Sequence, residues 1–309
     1  MIYDSVLCVA TRHKNIALKA IRSLHLFTQS RKIFVITPQH NFAFFENTLD
    51  ECLPVCLLDE DKIIENISLS VIQKYFTQRI GTPLRAGWYF QQFLKMSVSN
   101  IPDVADHYLI WDSDTILLQP LTFFDHDRTV FINPKIEDHE PYFKALKKTT
   151  DIEKQVDFSF ISEHLMVNKS YMSELVHNFR AKASDEVSWV ELILNSIDND
   201  HLGASGFSEF ETYGNFIALN YKDSFKCRSI KSTRNGAMYF GMNPNKHDIL
   251  LFMLAGHAFV TFEAWKSGSS NRIARNKTLS KIIYKSCLFL CYLTKYYGGQ
   301  LNAASRICG

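Results

Sequence analysis

The sequence predicts an α/β fold built on an open, mostly parallel β-sheet that is flanked by helices. Short apolar runs alternate with amphipathic segments over residues 1–60, which is the order expected of strands and helices in such a sheet. A further strand-like run at residues 107–111 ends directly at acidic residues. The 309 residues suffice for one large domain of this kind, or for a domain with a smaller appendage.

Each predicted element follows from a local pattern. Apolar runs bounded by polar or turn residues predict strands at residues 5–10, 32–37, 54–58, 107–111 and 158–168, with a last strand-like run at 249–262. Apolar residues at helical spacing predict helices at residues 15–27, 84–99, 170–179 and 185–198. Ser170 and Asp185 are the predicted N-caps of the last two helices.

Composition and charge exclude several classes of protein. Hydrophobic residues make up 46% of the chain and charged residues 21%, which is typical of a globular protein rather than a disordered one. A net charge of +2 gives no support for nucleic-acid binding. The seven cysteines are scattered without metal-ligand spacing, and we read no signal peptide at the N-terminus. We therefore expect a protein of the cytoplasm.

The C-terminal part, residues 267–309, has a different pattern. Residues 282–297 are rich in Leu, Phe and Tyr but too short and too charged to cross a bilayer. Basic residues precede and enter this run: Lys266, Arg272, Arg275, Lys277, Lys281 and Lys285. A basic, apolar helix suits the anionic inner face of the cytoplasmic membrane. The alternative is a helix that packs on the protein core, and the pattern leaves both open.

The strongest chemical signal is Asp112-Ser113-Asp114 at the end of a predicted strand. In open α/β sheets, ligands bind beyond the carboxyl ends of the strands. Two carboxylates one residue apart can hold a hard divalent cation such as Mn²⁺ or Mg²⁺. Such an ion would neutralise the charge that develops on a diphosphate leaving group. The alternative is a solvated turn, in which Asp is common.

Four segments carry a resemblance to a known family. Residues 108–120 (YLIWDSDTILLQP) resemble the DxD region of GT-A glycosyltransferases. Residues 87–96 (GWYFQQFLKM), 160–166 (FISEHLM) and 207–216 (FSEFETYGNF) resemble bacterial glycosyltransferase-like proteins known as a domain of unknown function, the DUF6492 type.

The resemblance implies a GT-A fold and a metal-dependent hexosyl- or N-acetylhexosaminyltransferase. The donor would be a nucleotide sugar, most often a UDP-sugar, and the acceptor a hydroxyl of a glycan or a lipid-linked glycan. The implied setting is bacterial surface polysaccharide assembly, meaning lipopolysaccharide, O-antigen or capsule. Residues 1–127 would bind the nucleotide sugar and residues 128–266 the acceptor.

Carried over by residue, the resemblance also implies a donor site and a metal site. Asp114 would be the main metal ligand, and Asp112 would face the ribose or the metal. His257 is a further candidate metal ligand, chosen by its late position in the chain. The other residues implied at the donor site are Thr11, Arg12, Arg85, Trp88, Gln92, Lys95 and Ser113.

Carboxylates after the DxD segment are the candidates for chemistry on the acceptor. An inverting transferase needs a general base, and Glu209 or Glu211 is the candidate, with Glu163 in reserve. Glu211 also fits a capping box with Ser208, which would be a structural role. His164 is expected to touch the acceptor or the metal, and Tyr213 is assigned to the acceptor site.

Three other functions remain open at this stage. A nucleotidyltransferase would use a related sheet, but residues 11–15 contain no glycine for a phosphate-binding loop. A metal-dependent phosphohydrolase would share the acidic site, although more His and Asp ligands would be expected in one cluster. An inactive carbohydrate-binding scaffold would not need the two aspartates.

Overall fold

The computed structural model describes residues 1–126, 129–184, 186–264 and 298–309. Its main sheet has five strands in the order β3-β2-β1-β4-β7. The strands are Asp4–Cys8 (β1), Ile33–Thr37 (β2), Val55–Asp59 (β3), His107–Trp111 (β4) and His164–Asn168 (β7). The first four pair in parallel and β7 is antiparallel to β4. The predicted α/β fold with a mostly parallel sheet is therefore confirmed.

Two small sheets lie outside the main one. Their strands are Thr115–Leu117 (β5), Val130–Ile132 (β6), Phe225–Cys227 (β8), Ser232–Thr233 (β9) and Phe259–Thr261 (β10). One sheet has the order β5-β10-β9, and β6 pairs with β8 in the other. Strand β10 runs antiparallel to β5, which begins three residues after Asp112. This pairing brings the chain after β10 back to the acidic segment.

Helices flank the sheet, and five of the described helices begin at a residue whose side chain caps the first turn. Those described are Lys14–Phe27 (α1), Phe42–Thr48 (α2), Leu69–Ile80 (α3), Ala86–Ser97 (α4), Glu140–Thr150 (α5), Lys169–Lys182 (α6), Trp189–Ser196 (α7), Asn199–Leu202 (α8), Glu209–Asn220 (α9), Gly236–Phe240 (α10), Lys246–Leu254 (α11) and the C-terminal helix Gly298–Cys308. Short 3₁₀ turns follow several strands, including Thr11–His13 after β1 and Glu60–Lys62 after β3.

The first strand shows how the sheet accommodates a buried charge. All five residues of β1 are buried, including Asp4. The Asp4 carboxylate accepts hydrogen bonds from the Arg31 guanidinium, at 3.0 and 2.8 Å, and from the backbone N–H groups of Lys32 and Ala105. Because a buried carboxylate is tolerated only when it is paired and hydrogen-bonded, these contacts fix the start of the sheet.

Four predicted elements need correction. The run at residues 158–168 forms a strand only from His164, and α6 begins at the N-cap Asn168, whose side chain accepts from two backbone N–H groups. Residues 249–262 divide into the end of α11 and β10, because Asn245 and Asp248 form a capping box that starts a helix. The helix predicted from Asp185 begins at Trp189 with Ser188 as its cap. Asp185 itself lies outside the described residues.

The C-terminal helix packs on the protein rather than away from it. Ala304 and Ile307 are fully buried in a core cluster that includes residues of α1 and α11. The basic and apolar run at residues 265–297, for which we expect membrane contact or core packing, lies outside the described residues. Among the described helices, none has the length and apolar character needed to span a membrane.

Candidate active site

Asp112 and Asp114 lie at the carboxyl end of β4, on a tight turn into β5. The Thr115 N–H donates to the Asp112 carbonyl at 3.0 Å, and the Trp111 indole N–H donates to the Thr115 carbonyl at 2.7 Å. Neighbouring β1 pairs with β2 on one side and β4 on the other, so the strand order reverses beside Asp112. Such a switch point is where open α/β sheets bind ligands.

Lys95 connects Asp112 at the end of β4 to Glu209 at the start of α9. Its buried ammonium donates to Asp112 Oδ1 at 3.0 Å and to Glu209 Oε1 at 2.9 Å. Burial by itself would lower the pKa of Lys95, but Asp112 and Glu209 outweigh it and raise that pKa, so the ammonium stays charged. Because both carboxylates contact one nitrogen, Glu209 lies beside the DxD turn. Lys95, which the resemblance implies at the donor site, already donates to two protein carboxylates in this structure.

Asp114 lies in a strongly acidic environment. Burial, followed by the charges of Asp112 and Glu263, raises the pKa of Asp114 to about 8. Glu263 arrives with the chain after β10, where the Phe262 N–H donates to the Asp114 carbonyl at 2.9 Å. Neutral Asp114 would carry a proton that a bound cation could displace.

The donor set fits a hard divalent cation only in part. Asp112 and Asp114 supply carboxylate oxygens, the preferred ligands of Mg²⁺ and Mn²⁺. In the described parts of the chain, no group of three or more His, Cys, Asp or Glu side chains is arranged to hold an ion. Two carboxylates are nevertheless compatible with an ion whose remaining ligands are substrate phosphates and waters. A cation at this turn would therefore depend on the substrate to complete its shell.

His257 is not near this turn, so its predicted role as a metal ligand is wrong. It lies between α11 and β10 and directly precedes Ala258. The Ala258 carbonyl accepts from the Leu118 N–H, which is at the end of β5 away from Asp114. The residue that reaches Asp114 is Phe262, five positions further along. At about 3.3 Å per extended residue, five residues span roughly 16 Å, so the His257 backbone lies about that far from the Phe262 backbone beside Asp114.

A second charged cluster surrounds Glu163. Its buried carboxylate accepts from Arg234 Nε at 3.0 Å and lies 3.4 Å from the Lys135 ammonium. Burial would raise the pKa of Glu163, but Lys135 and Arg234 outweigh it and lower that pKa. A carboxylate held by two cations is a poor proton acceptor, so the structure argues against Glu163 as a general base.

Arg234 is the cation that the sequence analysis missed. Burial would lower its pKa, but the fields of Glu163, Asp112, Glu137 and Glu263 raise it, which places the guanidinium near the acidic turn. Its side chain is 27% exposed. No local motif marks Arg234; it reaches the site because β9 pairs with β10. Glu263 could have been found as one more carboxylate just after a strand.

Two residues assigned to the acceptor are structural instead. His164 is 3% exposed and stacks on Trp111, with ring centroids 5.3 Å apart. Burial lowers the pKa of His164 to about 4, so it is neutral at physiological pH. Tyr213 is 2% exposed, and its hydroxyl accepts from the Asn168 N–H at 2.9 Å. Neither side chain is accessible to an acceptor.

Glu211 also has a structural role, though not the predicted one. The Ser208 hydroxyl caps α9 by accepting from the Glu211 N–H at 3.2 Å, as expected. The Glu211 carboxylate does not return to the cap; it accepts from Ser159 and Asn215. It is 1% exposed, so of the two glutamates only Glu209 is next to the acidic turn.

The remaining donor-site candidates divide into two groups. The side-chain amide oxygen of Gln92, Oε1, accepts from the Glu209 N–H at 3.0 Å, so Gln92 holds the start of α9. Thr11 and Arg12 are exposed after β1, where Thr11 Oγ1 lies 2.9 Å from His40 Nε2.

Among the other residues expected at the donor site, Arg85 is bonded to protein groups and Ser113 is buried, while Trp88 lies beside Arg85. The Arg85 guanidinium donates to Ala204 and Ser205 and lies 4.3 Å from the Trp88 ring centroid. Arg85 is therefore bound to the loop before α9. Ser113 is 5% exposed, so its side chain is not presented to a ligand.

Fold and site together define an α/β protein with an acidic ligand site at the carboxyl edge of a mostly parallel sheet. The chain belongs to the family of unknown function DUF6492, whose model matches residues 6–238. In a sequence search, no curated protein matches this chain.

Several solved structures are similar to this chain over most of its length. Mouse xyloside xylosyltransferase 1 in its apo form is 11% identical, with a TM-score of 0.40, covering 77% of this chain and 87% of its own. The galactosyltransferase LgtC in complex with donor and acceptor sugar analogues is 12% identical, with a TM-score of 0.44, covering 96% and 99%. The apo glycosyltransferase GlyE of Streptococcus pneumoniae TIGR4 is 13% identical, with a TM-score of 0.39, covering 94% and 64%. At such values these likenesses carry no argument about this chain.

Proposed function

We propose that this protein is a metal-dependent glycosyltransferase of the GT-A type that moves a sugar from a nucleotide sugar to a hydroxyl of a glycan. The observation that carries the proposal is the cluster at the end of β4. There Asp112 and Asp114 lie at the switch point of the sheet, Lys95 holds Asp112 and Glu209, and the charge of Asp112 raises the pKa of the nearby Arg234. A diphosphate needs a cationic side chain and a metal site, for which Arg234 and the two aspartates are the candidates.

The residues have separate roles in the proposed reaction. Asp112 and Asp114 would hold the divalent cation, which when bound neutralises charge on the diphosphate leaving group. The Arg234 guanidinium, part of which is exposed, would donate to diphosphate oxygens. Lys95 would keep Asp112 and Glu209 in place rather than contact the donor, because both of its observed acceptors are protein carboxylates.

Glu209 is the group that would accept the proton of the acceptor hydroxyl. Lys95 holds only Oε1, and among the described residues no hydrogen bond or ion pair is made by Oε2. A positioned carboxylate oxygen within reach of the attacking hydroxyl supplies typically about 10²- to 10⁴-fold in rate. Glu209 also begins α9, where the helix dipole favours a carboxylate.

The donor and the setting belong to the same proposal. We propose a UDP-sugar as donor and a glycan or lipid-linked glycan of bacterial surface polysaccharide as acceptor, on the strength of the four segments that resemble the family. For the basic C-terminal run we propose peripheral binding to the inner face of the cytoplasmic membrane. Replacing Lys281 and Lys285 by Glu should then release the protein from anionic vesicles, and unchanged binding would refute that part.

Nucleotide binding tests the proposal directly. Melting temperatures are measured with nucleoside diphosphates and nucleotide sugars, with and without Mn²⁺, for wild type, Asp114→Asn and Asp106→Asn. Asp106 is a matched control because it is exposed and lies just before the opposite end of β4. A ligand at 100 times its Kd adds about 2.7 kcal/mol to the free energy of unfolding.

We expect one nucleoside diphosphate to stabilise wild type and Asp106→Asn only with metal, and Asp114→Asn to lose this response. If no nucleotide binds the wild type, or if Asp114→Asn responds fully, the proposed function is wrong.

A further inference from the structure

Glu60 is a buried carboxylate that the proposed reaction does not use. It is the first residue after β3 and is 9% exposed. Neighbouring Asp59 and Asp61 each accept a backbone hydrogen bond, from Asp61 N–H and Leu69 N–H. Among the described residues, no hydrogen bond or ion pair is made by the Glu60 carboxylate. Burial, followed by the charges of Asp61 and Asp59, raises the pKa of Glu60 to about 7.

The position of Glu60 links it to the acidic site. Cys8, at the end of β1, is buried and lies within the electrostatic field of two groups of charges. One group is Lys95, Glu209 and Asp112, and the other is Glu60. In the strand order β3-β2-β1-β4, Cys8 at the end of β1 lies between the end of β3, which Glu60 follows, and the end of β4, which Asp112 follows.

The spacing of this edge suits an extended ligand. Strands β4 and β3 are separated by β1 and β2, so their ends lie about 14 Å apart at a spacing of about 4.8 Å per strand. A diphosphate held at Asp114 would leave its nucleoside to extend over β1 and β2. The nucleobase would then come to the end of the site that contains Glu60.

We propose that Glu60 binds the nucleobase of the donor by accepting a hydrogen bond from a ring N–H on the Watson–Crick edge of the base. This inference rests on the proposed function and states which part of the nucleotide Glu60 recognises. Uracil offers the ring N3–H at that edge and guanine the ring N1–H, whereas the corresponding ring nitrogens of cytosine (N3) and adenine (N1) are acceptors that would face the carboxylate with a lone pair. A buried acceptor left without a donor is costly, so a ligand lacking the N–H is rejected strongly.

The test uses calorimetric titration with Mn²⁺ at pH 8.5, where Glu60 is ionised and can only accept. The ligands are UDP, GDP, CDP, ADP and pyrophosphate. Two analogues of the best binder are added, one methylated at its Watson–Crick N–H and one lacking the ribose 2′-hydroxyl. The proteins are wild type, Glu60→Leu, Glu60→Gln and the control Glu65→Gln, in which an exposed carboxylate on the same loop is removed.

We expect the N-methylated analogue to bind wild type at least tenfold more weakly than its parent. Glu60→Leu should weaken the preferred nucleotide at least tenfold, and Glu60→Gln less, because its amide keeps one acceptor oxygen. Glu65→Gln and the affinity for pyrophosphate should be unchanged. Melting temperatures without ligand check folding, and Glu60→Leu should melt no lower than wild type because an unpaired buried charge is removed.

Three results would overturn the inference. If wild type binds a nucleoside diphosphate and both Glu60 variants keep its affinity and selectivity, Glu60 does not read the base, while the proposed function survives. If only the 2′-deoxy analogue weakens binding, the contact is to the ribose and the assignment to the base is wrong. If wild type binds pyrophosphate and metal but no nucleotide, both the nucleobase contact and the nucleotide-sugar donor are refuted.

Discussion

Removal of the Lys95 ammonium should unbalance the centre of the site. Lys95→Met keeps the length of the apolar stem and deletes the charge that holds Asp112 and Glu209. The side chains of Lys95 and Glu209 are 7% and 8% exposed, and that of Asp112 is 29% exposed. Removing one partner of a buried ion pair typically costs about 3–5 kcal/mol, because it leaves an uncompensated buried charge.

The size of the effect can be read from thermal and urea unfolding. With an unfolding entropy of about 2.1 cal/mol/K per residue, a chain of 309 residues should lose roughly 5–8 °C in melting temperature. Lys74→Met, which removes an exposed lysine of α3, is the control and should change the free energy of unfolding by less than about 0.5 kcal/mol.

A double-mutant cycle then tests the cause. Lys95→Met/Glu209→Gln removes the unpaired buried charge of Glu209, so it should be more stable than Lys95→Met alone, with a coupling energy of about 1–3 kcal/mol. Additive losses would refute the reasoning, because they would show that the ammonium and the carboxylate do not depend on each other. A loss below about 1 kcal/mol in Lys95→Met would do the same.

Three further changes separate chemistry from structure. Glu209→Gln should lower turnover by at least about 100-fold. Glu211→Ala should instead lower the free energy of unfolding by about 1–3 kcal/mol and leave the turnover of the folded enzyme unchanged. Equal losses of turnover in the two variants would contradict this assignment. Between pH 6.5 and 4, His164 is protonated in the unfolded chain but not in the folded one, so the free energy of unfolding of the wild type should fall by about 3 kcal/mol as the pH falls. In urea titrations at several pH values, His164→Phe should lack this part of the pH dependence. Gly214→Ala would place a Cβ 2.0 Å from the ring of buried Phe160, so it should cost about 1–3 kcal/mol, and Phe160→Leu in the same chain should restore part of the loss measured by urea unfolding.

The parts of the fold that the sequence predicts correctly are those with a local cause. The run at residues 107–111 is a strand in the structure with the same bounds, because it is apolar, short and ended by the acidic turn. Helix α11 has no helical period in its sequence, because every residue after Asp248 is apolar and the run resembles a buried strand. The capping box of Asn245 and Asp248 was the available signal for its start.

The same difference between local and long-range causes applies to the residues of the candidate site. Asp112 and Asp114 are neighbours in sequence, so their position after a strand is enough to mark them. Arg234 and Glu263 lie more than 100 residues further along, and they reach the turn through the pairing of β9 with β10 and of β10 with β5. No local pattern encodes such a contact. The prediction of His257 as a metal ligand rested on its position in the chain alone, with no motif behind it.

The most direct measurement of the central claim is the metal-dependent release of nucleoside diphosphate from a panel of nucleotide sugars, with and without glycan acceptors. Wild type and Asp106→Asn should release the diphosphate from one donor and deliver its sugar to an acceptor or, slowly, to water. Asp114→Asn should lose at least about 100-fold of this rate, because one ligand of the cation is gone. Release of nucleoside monophosphate and sugar phosphate, or an undiminished rate in Asp114→Asn, would contradict the account.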